Sequence, residues 1–297
     1  MYRLHLSIRP MVTLLILALI WGANLAIIKI GAQDLPSLFM AGFRSLVAAI
    51  CLYIWMKIKG INPFPSRKIL VHGIVIGVLF GSEFGFIYTA LEFTTASRSY
   101  VLVYTAPFFV ALGAHFFLRD DRLNPWKIAG LVMAFAGIFI LFIRKLGTFS
   151  LVALPGDMMA IVAGALWGAT TVYLKKYLSR VTVPLQTLFY QVCFSAPLLL
   201  FMSFVLEDPF ASRISWSAGF SVFYQCIIVA FLSYLVWFEL IHRYPVSLLH
   251  AFTFFTPVFG VFLGGLLILG EEIGLNLIVA LTLVSVGTVF VNKRPSS

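Results

Sequence analysis

Residues Ala90 to Leu141 read ALEFTTASRSYVLVYTAPFFVALGAHFFLRDDRLNPWKIAGLVMAFAGIFIL: an apolar run containing Pro107, a charged turn from Arg119 to Arg122, and a second apolar run with Gly130 and Gly137. The plan returns from Leu240 to Val291, with Pro257 inside an apolar run, an acidic turn at Glu271 and Glu272, and Gly287 in the run that follows. Pro107 maps onto Pro257 and Gly137 onto Gly287 at the same offset of 150, with the acidic turns in register to within a residue. Earlier parts repeat as well: Trp21, Gly22, Ala23 and Lys29 return as Trp167, Gly168, Ala169 and Lys175. The chain is a tandem duplication, expected to divide into repeats at 1–146 and 147–297. A period this long means two copies of one domain rather than a solenoid.

Composition decides the solvent. With 61% hydrophobic and 11% charged residues and a mean hydropathy of +1.03, the chain lies far from the roughly half-apolar, quarter-charged soluble norm. It belongs in a bilayer. The formal charge of +10 does not point to nucleic acid, because no basic run is long and the Lys and Arg sit in short gaps between apolar runs. A positive-inside bias explains them.

Ten segments, near 11–31, 37–57, 69–91, 97–118, 125–143, 155–176, 184–206, 217–241, 247–269 and 274–292, are long enough to cross the membrane. The hydrocarbon core is ~30 Å thick, and open sheet edges cannot be satisfied there, so these runs are helices. Arg3 and Arg9 ahead of the first run resemble a secretory leader. That run is too long for one, however, and it ends in Trp21, Asn24 and Lys29 without a small-residue cleavage site. Alternate gaps carry 15 Lys and Arg on one side against 5 on the other, with Arg44 inside a span. Both termini are therefore expected in the cytoplasm of a multi-pass cell-membrane protein. Five helices per copy is odd, so the second copy enters from the opposite side. The expected fold is an all-α membrane protein of ten transmembrane helices in two inverted five-helix repeats, the geometry of alternating-access transporters.

In the order and spacing of these pieces the chain resembles the drug/metabolite transporter superfamily, of the ten-helix EamA type. The likeness covers nearly all of it. It rests on Trp21-Gly22 and its echo Trp167-Gly168, the AL-x-x-T-x-A run at Ala90 to Ala96, Pro107 and Pro257 in the fourth and ninth helices, and the acidic turns followed by glycine-bearing helices. The resemblance implies export or import of small metabolites, often amino acids and related compounds, through a cavity between the repeats. The halves differ in detail: Gln191 is the counterpart of Arg44, and the Ala90 to Ala96 run has no close copy. They are not expected to contribute equally to the site.

Several residues carry both a functional and a packing reading. Gly73, Gly77, Gly81 and Gly85, four residues apart, share one helix face where another backbone can approach closely, either for tight packing or as a sliding face in gating. Pro107 and Pro257 should bend their helices. Arg44 and Glu83 are the deepest charges, at depths that agree within ~3 Å given 1.5 Å per residue. A lone charge at a helix centre costs ~2.5–3.5 kcal/mol, so neither should face lipid. They either pair to fasten the second and third helices, or Glu83 points into the cavity to bind an amine or a coupling proton. Burial and an Arg neighbour act on its ionisation in opposite directions, leaving both readings open. Trp21, Trp167, Trp237, Tyr100, Tyr104 and His250 each carry a polar handle that needs a partner inside the membrane. Asn24 joins them as a cavity candidate. Tyr100 aligns with His250, as if they faced each other across one cavity.

Enzyme readings find little support. H-E-x-x-H, G-x-S-x-G, a phosphate loop and a dinucleotide fingerprint are absent. His115 and Asp120 form an H-x-x-x-x-D of the kind some acyltransferases use, but it lies at a helix end beside a charged turn. Cys51, Cys193 and Cys226 sit in apolar spans without ligand spacing, so no metal, cofactor or disulfide is expected. The sequence reads as a secondary carrier, monomeric or homodimeric, that moves a small organic solute, an amino acid or related compound, by alternating access. A nucleotide-sugar or sugar-phosphate carrier is the main alternative, and it should bury several basic residues where only Arg44 qualifies. A receptor or structural protein is the other.

Overall fold

A computed structural model describes residues 6–146, 151–208, 215–263 and 275–293, and every regular element among them is helical. The first half comprises α1 (Ile8–Gly31), α2 (Ser37–Ile58), α3 (Arg67–Ala90), α4 (Ala96–Val103), α5 (Ala106–Phe117) and α6 (Pro125–Phe142). The second comprises α7 (Leu154–Tyr177), α8 (Pro184–Leu206), α9 (Trp216–Phe223), a π-helical stretch (Tyr224–Ser233), α10 (Tyr234–Arg243), α11 (Val246–Thr253), α12 (Phe255–Leu263) and α13 (Leu275–Val291). With α4–α5, α9–α10 and α11–α12 each taken as one span, nine stretches among the described residues are long and apolar enough to cross a membrane. The tenth, α13, is apolar but counts 17 residues, just short of the ~20 that a perpendicular span requires. Glu271, Glu272 and Arg3 lie outside the described residues.

Local chemistry sets the ends. Ser66 Oγ accepts from the Ile69 amide at 3.2 Å to start α3, and Asn124 Oδ1 accepts from Lys127 at 2.9 Å to start α6, with Pro125 at its first position. These side chains satisfy amides that the helix itself leaves without acceptors. The two expected bends show as short breaks in the helical ladder, with the backbone staying near helical at Thr105 and Phe254. Pro107 lacks the N–H that would reach the Val103 carbonyl, and α4 ends at Val103; Pro257 stands in the same relation to Thr253, where α11 ends. A missing i→i−4 bond and the ring's clash with the preceding turn account for both breaks.

Packing is built on small residues, though not always in the way the glycine spacing implied. A Cβ added at Gly73, Gly77, Gly81 or Gly85 would meet Tyr190, Phe194, Leu198 and Met202 in turn. The α3 face is therefore met by side chains of α8, themselves four residues apart, and at Gly77 by the α8 backbone as well, with the Phe194 C and Cα atoms 3.1 Å from the added Cβ. Two rows of four-residue spacing mesh as ridge and groove. Backbones come close elsewhere too. A Cβ at Gly130 would lie 2.4 Å from the Gly287 carbonyl, which joins α6 to α13. At Gly22 it would lie 2.8 Å from the Gly260 amide on α12, and at the equivalent Gly168 it would lie 2.7 Å from Phe109 Cβ on α5. The Trp-Gly pair of each half thus seats its helix against the proline-broken span of the other.

Candidate functional site

Between the halves lies a cavity of about 460 Å³, within the range of small-molecule sites. Its mouth is formed by Lys29, Ser37, Leu91 and Ala96, at the end where α1 meets α2 and α3 meets α4, and Lys29, Leu91 and Ala96 are exposed there. It ends on Leu174, Phe238 and Ile241, all buried, so it is open at one end and closed at the other.

The lining is mainly aromatic and apolar with a few polar groups, and most sequence candidates reach it: Trp21, Asn24, Arg44, Glu83, Tyr100, Tyr104, Trp167 and Trp237. Arg44 is 2% exposed and Glu83 5%. No ion pair joins them, although their charges still act on each other through space. Instead Arg44 Cζ lies 4.4 Å from the centre of the Phe84 ring, a cation–π contact that partly offsets its burial. Arg44 Nη2, Glu83 Oε2 and Asn24 Oδ1 are each buried without a hydrogen-bond partner in the protein. Buried polar atoms are nearly always paired, so such a cluster marks polar capacity left for something else. Among the described residues lining the cavity, Glu83 is the only acid.

Rings form one wall in continuous contact. Trp21 meets Trp237 at 5.3 Å, Trp237 meets His250 at 5.2 Å, His250 meets Trp167 at 5.4 Å, and Trp167 meets Tyr104 at 6.0 Å, all edge to face. This is the favoured geometry for quadrupolar rings. Trp21 Nε1 donates to Ser233 Oγ at 2.9 Å, which satisfies its indole inside the π-helical segment. His250 stands apart from the expectation. It is fully buried behind Trp167 and Trp237, with Nε2 3.1 Å from Thr171 Oγ1, while its counterpart Tyr100 faces the cavity. The two do not oppose each other, because the two tryptophans come between His250 and the space.

The closed end is held by polar contacts. Lys175 Nζ donates to the Ile241 carbonyl and, at 2.9 Å, to that of Tyr244. Asp121 accepts from the Ser247 amide at 2.8 Å and from its hydroxyl, capping α11, and it accepts from Lys127 at 2.6 Å. The H-x-x-x-x-D pair dissolves into turn chemistry: His115 Nδ1 accepts from the Leu123 amide at 3.2 Å, and Asp120 pairs at 3.5 Å with exposed Arg180. Cys51, Cys193 and Cys226 are unpaired thiols, and no group of metal ligands occurs among the described residues.

Sequence reasoning missed Phe80, Phe84, Tyr88 and Tyr234 as wall residues. Phe80, Phe84 and Tyr88 do keep a four-residue spacing beside the glycines, but among 30 Phe and 11 Tyr that signal is faint. Gln191, the counterpart of Arg44, also lines the cavity.

A polytopic helical protein with a ligand-sized cavity, open at one end, between duplicated halves is the build of a membrane carrier. The EamA-like transporter family matches residues 8–143 and again residues 154–293, and the chain belongs to that family. It is similar to the uncharacterized transporter YoaV of Bacillus subtilis strain 168, 26% identical over 96% of this chain and 97% of that one. It is also similar to a probable amino-acid metabolite efflux pump of Salmonella typhimurium, 28% identical over 87% and 86%, and to the same-named pump of Escherichia coli K12, 26% identical over 91% of each chain. A solved crystal structure shares the fold with a TM-score of 0.80 over 96% of both chains at 21% identity. The protein is a multi-pass membrane transporter.

Proposed function

We propose that this transporter exports a small organic metabolite of the amino-acid type by alternating access of two inverted five-helix repeats, 1–146 and 147–297, with both termini in the cytoplasm. The observation that carries the reading is the pair of buried charges, Arg44 and Glu83, each with an unpartnered atom on one cavity wall. Arg44 would take a carboxylate and Glu83 an ammonium, through charge-assisted hydrogen bonds. Asn24 adds a polar contact, and Trp21, Trp167, Trp237, Tyr100 and Tyr104 shape the space for the side chain. His250 supports that wall from behind. Glu83 is also the cavity's one candidate for a coupling proton. The interruptions at Pro107 and Pro257, and the α3 face carrying Gly73, Gly77, Gly81 and Gly85, are the elements on which one half would rock against the other. The names of the Salmonella and Escherichia relatives support the substrate class. A phosphate ester fits less well, since its charge would meet Glu83.

Counterflow in proteoliposomes tests this reading. A panel of labelled amino acids, a nucleotide sugar and a sugar phosphate is offered to the purified protein. Exchange of at least one amino acid, lost in both Arg44→Gln and Glu83→Gln, is the expected result. Exchange confined to the phosphorylated compounds would refute it.

A further inference from the structure

Lys29 and Lys175 occupy the same position in the two copies, three turns or less below the Trp-Gly pair, yet their surroundings are opposite. Lys175 is buried, and its ammonium donates to the carbonyls of Ile241 and Tyr244 at the end of α10. Ile241 lies in the last turn of α10, where carbonyls are left unpaired by the helix at its negative pole, and Tyr244 is the extended residue just beyond it. The bonds tie α7 to the corner between α10 and α11, directly beside the residues that close the cavity, Leu174 and Ile241. Lys29 is exposed at the mouth and makes no hydrogen bond or ion pair among the described residues.

The duplication also names the acceptors that Lys29 lacks. At the offset of 150 that pairs the prolines, Leu91 corresponds to Ile241 and Thr94 to Tyr244, with Leu91 just beyond α3 and Ile241 in the last turn of α10. Leu91 follows the end of α3 and lines the same mouth as Lys29. Among the described residues neither the Leu91 nor the Thr94 carbonyl accepts a hydrogen bond. So one copy shows lysine docked on two carbonyls at a closed end, and the other shows the same lysine and the same two carbonyls apart at an open end.

We propose that Lys29 and Lys175 are paired positioning residues for transport, each latching one end of the cavity shut: Lys175 on Ile241 and Tyr244 in the state seen here, Lys29 on Leu91 and Thr94 in the opposite state. The proposal rests on the alternating-access reading above and adds to it the contacts that hold each state. In the opposite state Lys175 is released to the end that opens and regains water. A latch that exists in one state alone biases the balance by its full strength, so removing it shifts the populations. Two charge-assisted bonds correspond to a shift of about tenfold or more.

The test needs no substrate. Ser37→Cys places a thiol at the mouth, and its reaction rate with a bulky maleimide is measured on the purified protein in micelles, with the unsubstituted protein as the blank. Adding Lys175→Met should slow labelling, by up to about tenfold where the parent's open state is not in large excess, because the mouth closes as the other end is freed. Adding Lys29→Met alone should leave labelling no slower than in the parent. Adding both should bring the rate back to within about threefold of the parent, since closure of the mouth depends on Lys29. A slowing caused by one substitution, not by its equivalent, and reversed when both are present is not the signature of general destabilisation. Unchanged labelling in the Lys175→Met protein, slowing in the Lys29→Met protein, or failure of the double variant to recover would each overturn the proposal. If Lys175→Met does not yield a monodisperse protein, Lys175→Arg and Lys29→Met carry the test through counterflow of any exchanged amino acid. Retained exchange in the first and at least a tenfold loss in the second is then expected, and full exchange in the Lys29→Met protein overturns the latch. Opposite labelling shifts without exchange of any amino acid would refute the substrate reading and leave the latch standing.

Discussion

Removing the charge of Arg44 and of Glu83, singly and together, separates a binding pair from a structural one. Breaking a buried ion pair by losing one partner costs ~3–5 kcal/mol, because the other charge is stranded. Here no ion pair joins the two residues, and each already has an unpartnered buried atom. An isolated charge near the centre of a span is itself a burden of ~2.5–3.5 kcal/mol, of which the Phe84 contact returns about 1–2 kcal/mol to Arg44. On these figures Arg44→Gln and Glu83→Gln should each leave folding stability unchanged or raise it, by up to about 2.5 kcal/mol at Arg44 and about 3.5 kcal/mol at Glu83. The double-mutant coupling energy should stay below about 2 kcal/mol, since the two charges act on each other through space but share no ion pair. Transport should respond differently. A charge-assisted hydrogen bond to substrate is worth ~1.5–3 kcal/mol, so apparent affinity should fall roughly tenfold to a hundredfold in each single variant without recovery in the double. Equilibrium unfolding in mixed detergent micelles gives the stabilities, and counterflow gives the affinities. A loss of ~3 kcal/mol or more in either single variant, regained in the double, would show that the two charges fasten α2 to α3 and would refute the reasoning.

Gly77→Ala should destabilise the protein by ~1–3 kcal/mol, because the new Cβ would stand 2.4 Å from Phe194 Cβ in the α3–α8 seam. Gly219→Ala, with nothing within 4 Å of its Cβ, should be neutral or slightly stabilising in the same unfolding assay. Pro107→Ala and Pro257→Ala should each insert and express near normally while slowing counterflow, since a continuous helix still suits the bilayer but alters the balance of gate states. Unchanged rates in both would make the prolines passengers. Reporter fusions after residue 60 and at the carboxyl terminus should appear cytoplasmic and a fusion near Leu151 external, and an external carboxyl terminus would remove the argument for inverted repeats.

The sequence alone determined what chain length, periodicity and composition can carry. Apolar runs of about 20 residues leave the backbone no choice but helix in lipid, so the helical spans were legible without any tertiary information. Proline chemistry is equally local: the missing amide of Pro107 and Pro257 acts on the carbonyl four residues earlier whatever surrounds it, which is why the breaks fall at Val103 and Thr253. The duplication was legible because it is a property of the string. What the string could not decide was which faces meet. The α3 glycines read as a seat for a close neighbour, and that neighbour is α8, whose row of large side chains has a matching period that becomes meaningful only once the two helices are side by side. Arg44 and Glu83 have compatible depths, but depth does not fix azimuth, and the rotation of α2 and α3 leaves them unpaired on the cavity wall. Tyr100 and His250 are equals in sequence and unequal in space, because Trp167 and Trp237 close over one and not the other. The same holds for Lys29 and Lys175: identical residues at equivalent positions differ in burial and bonding because a two-copy protein with one end open cannot give both copies the same environment at once.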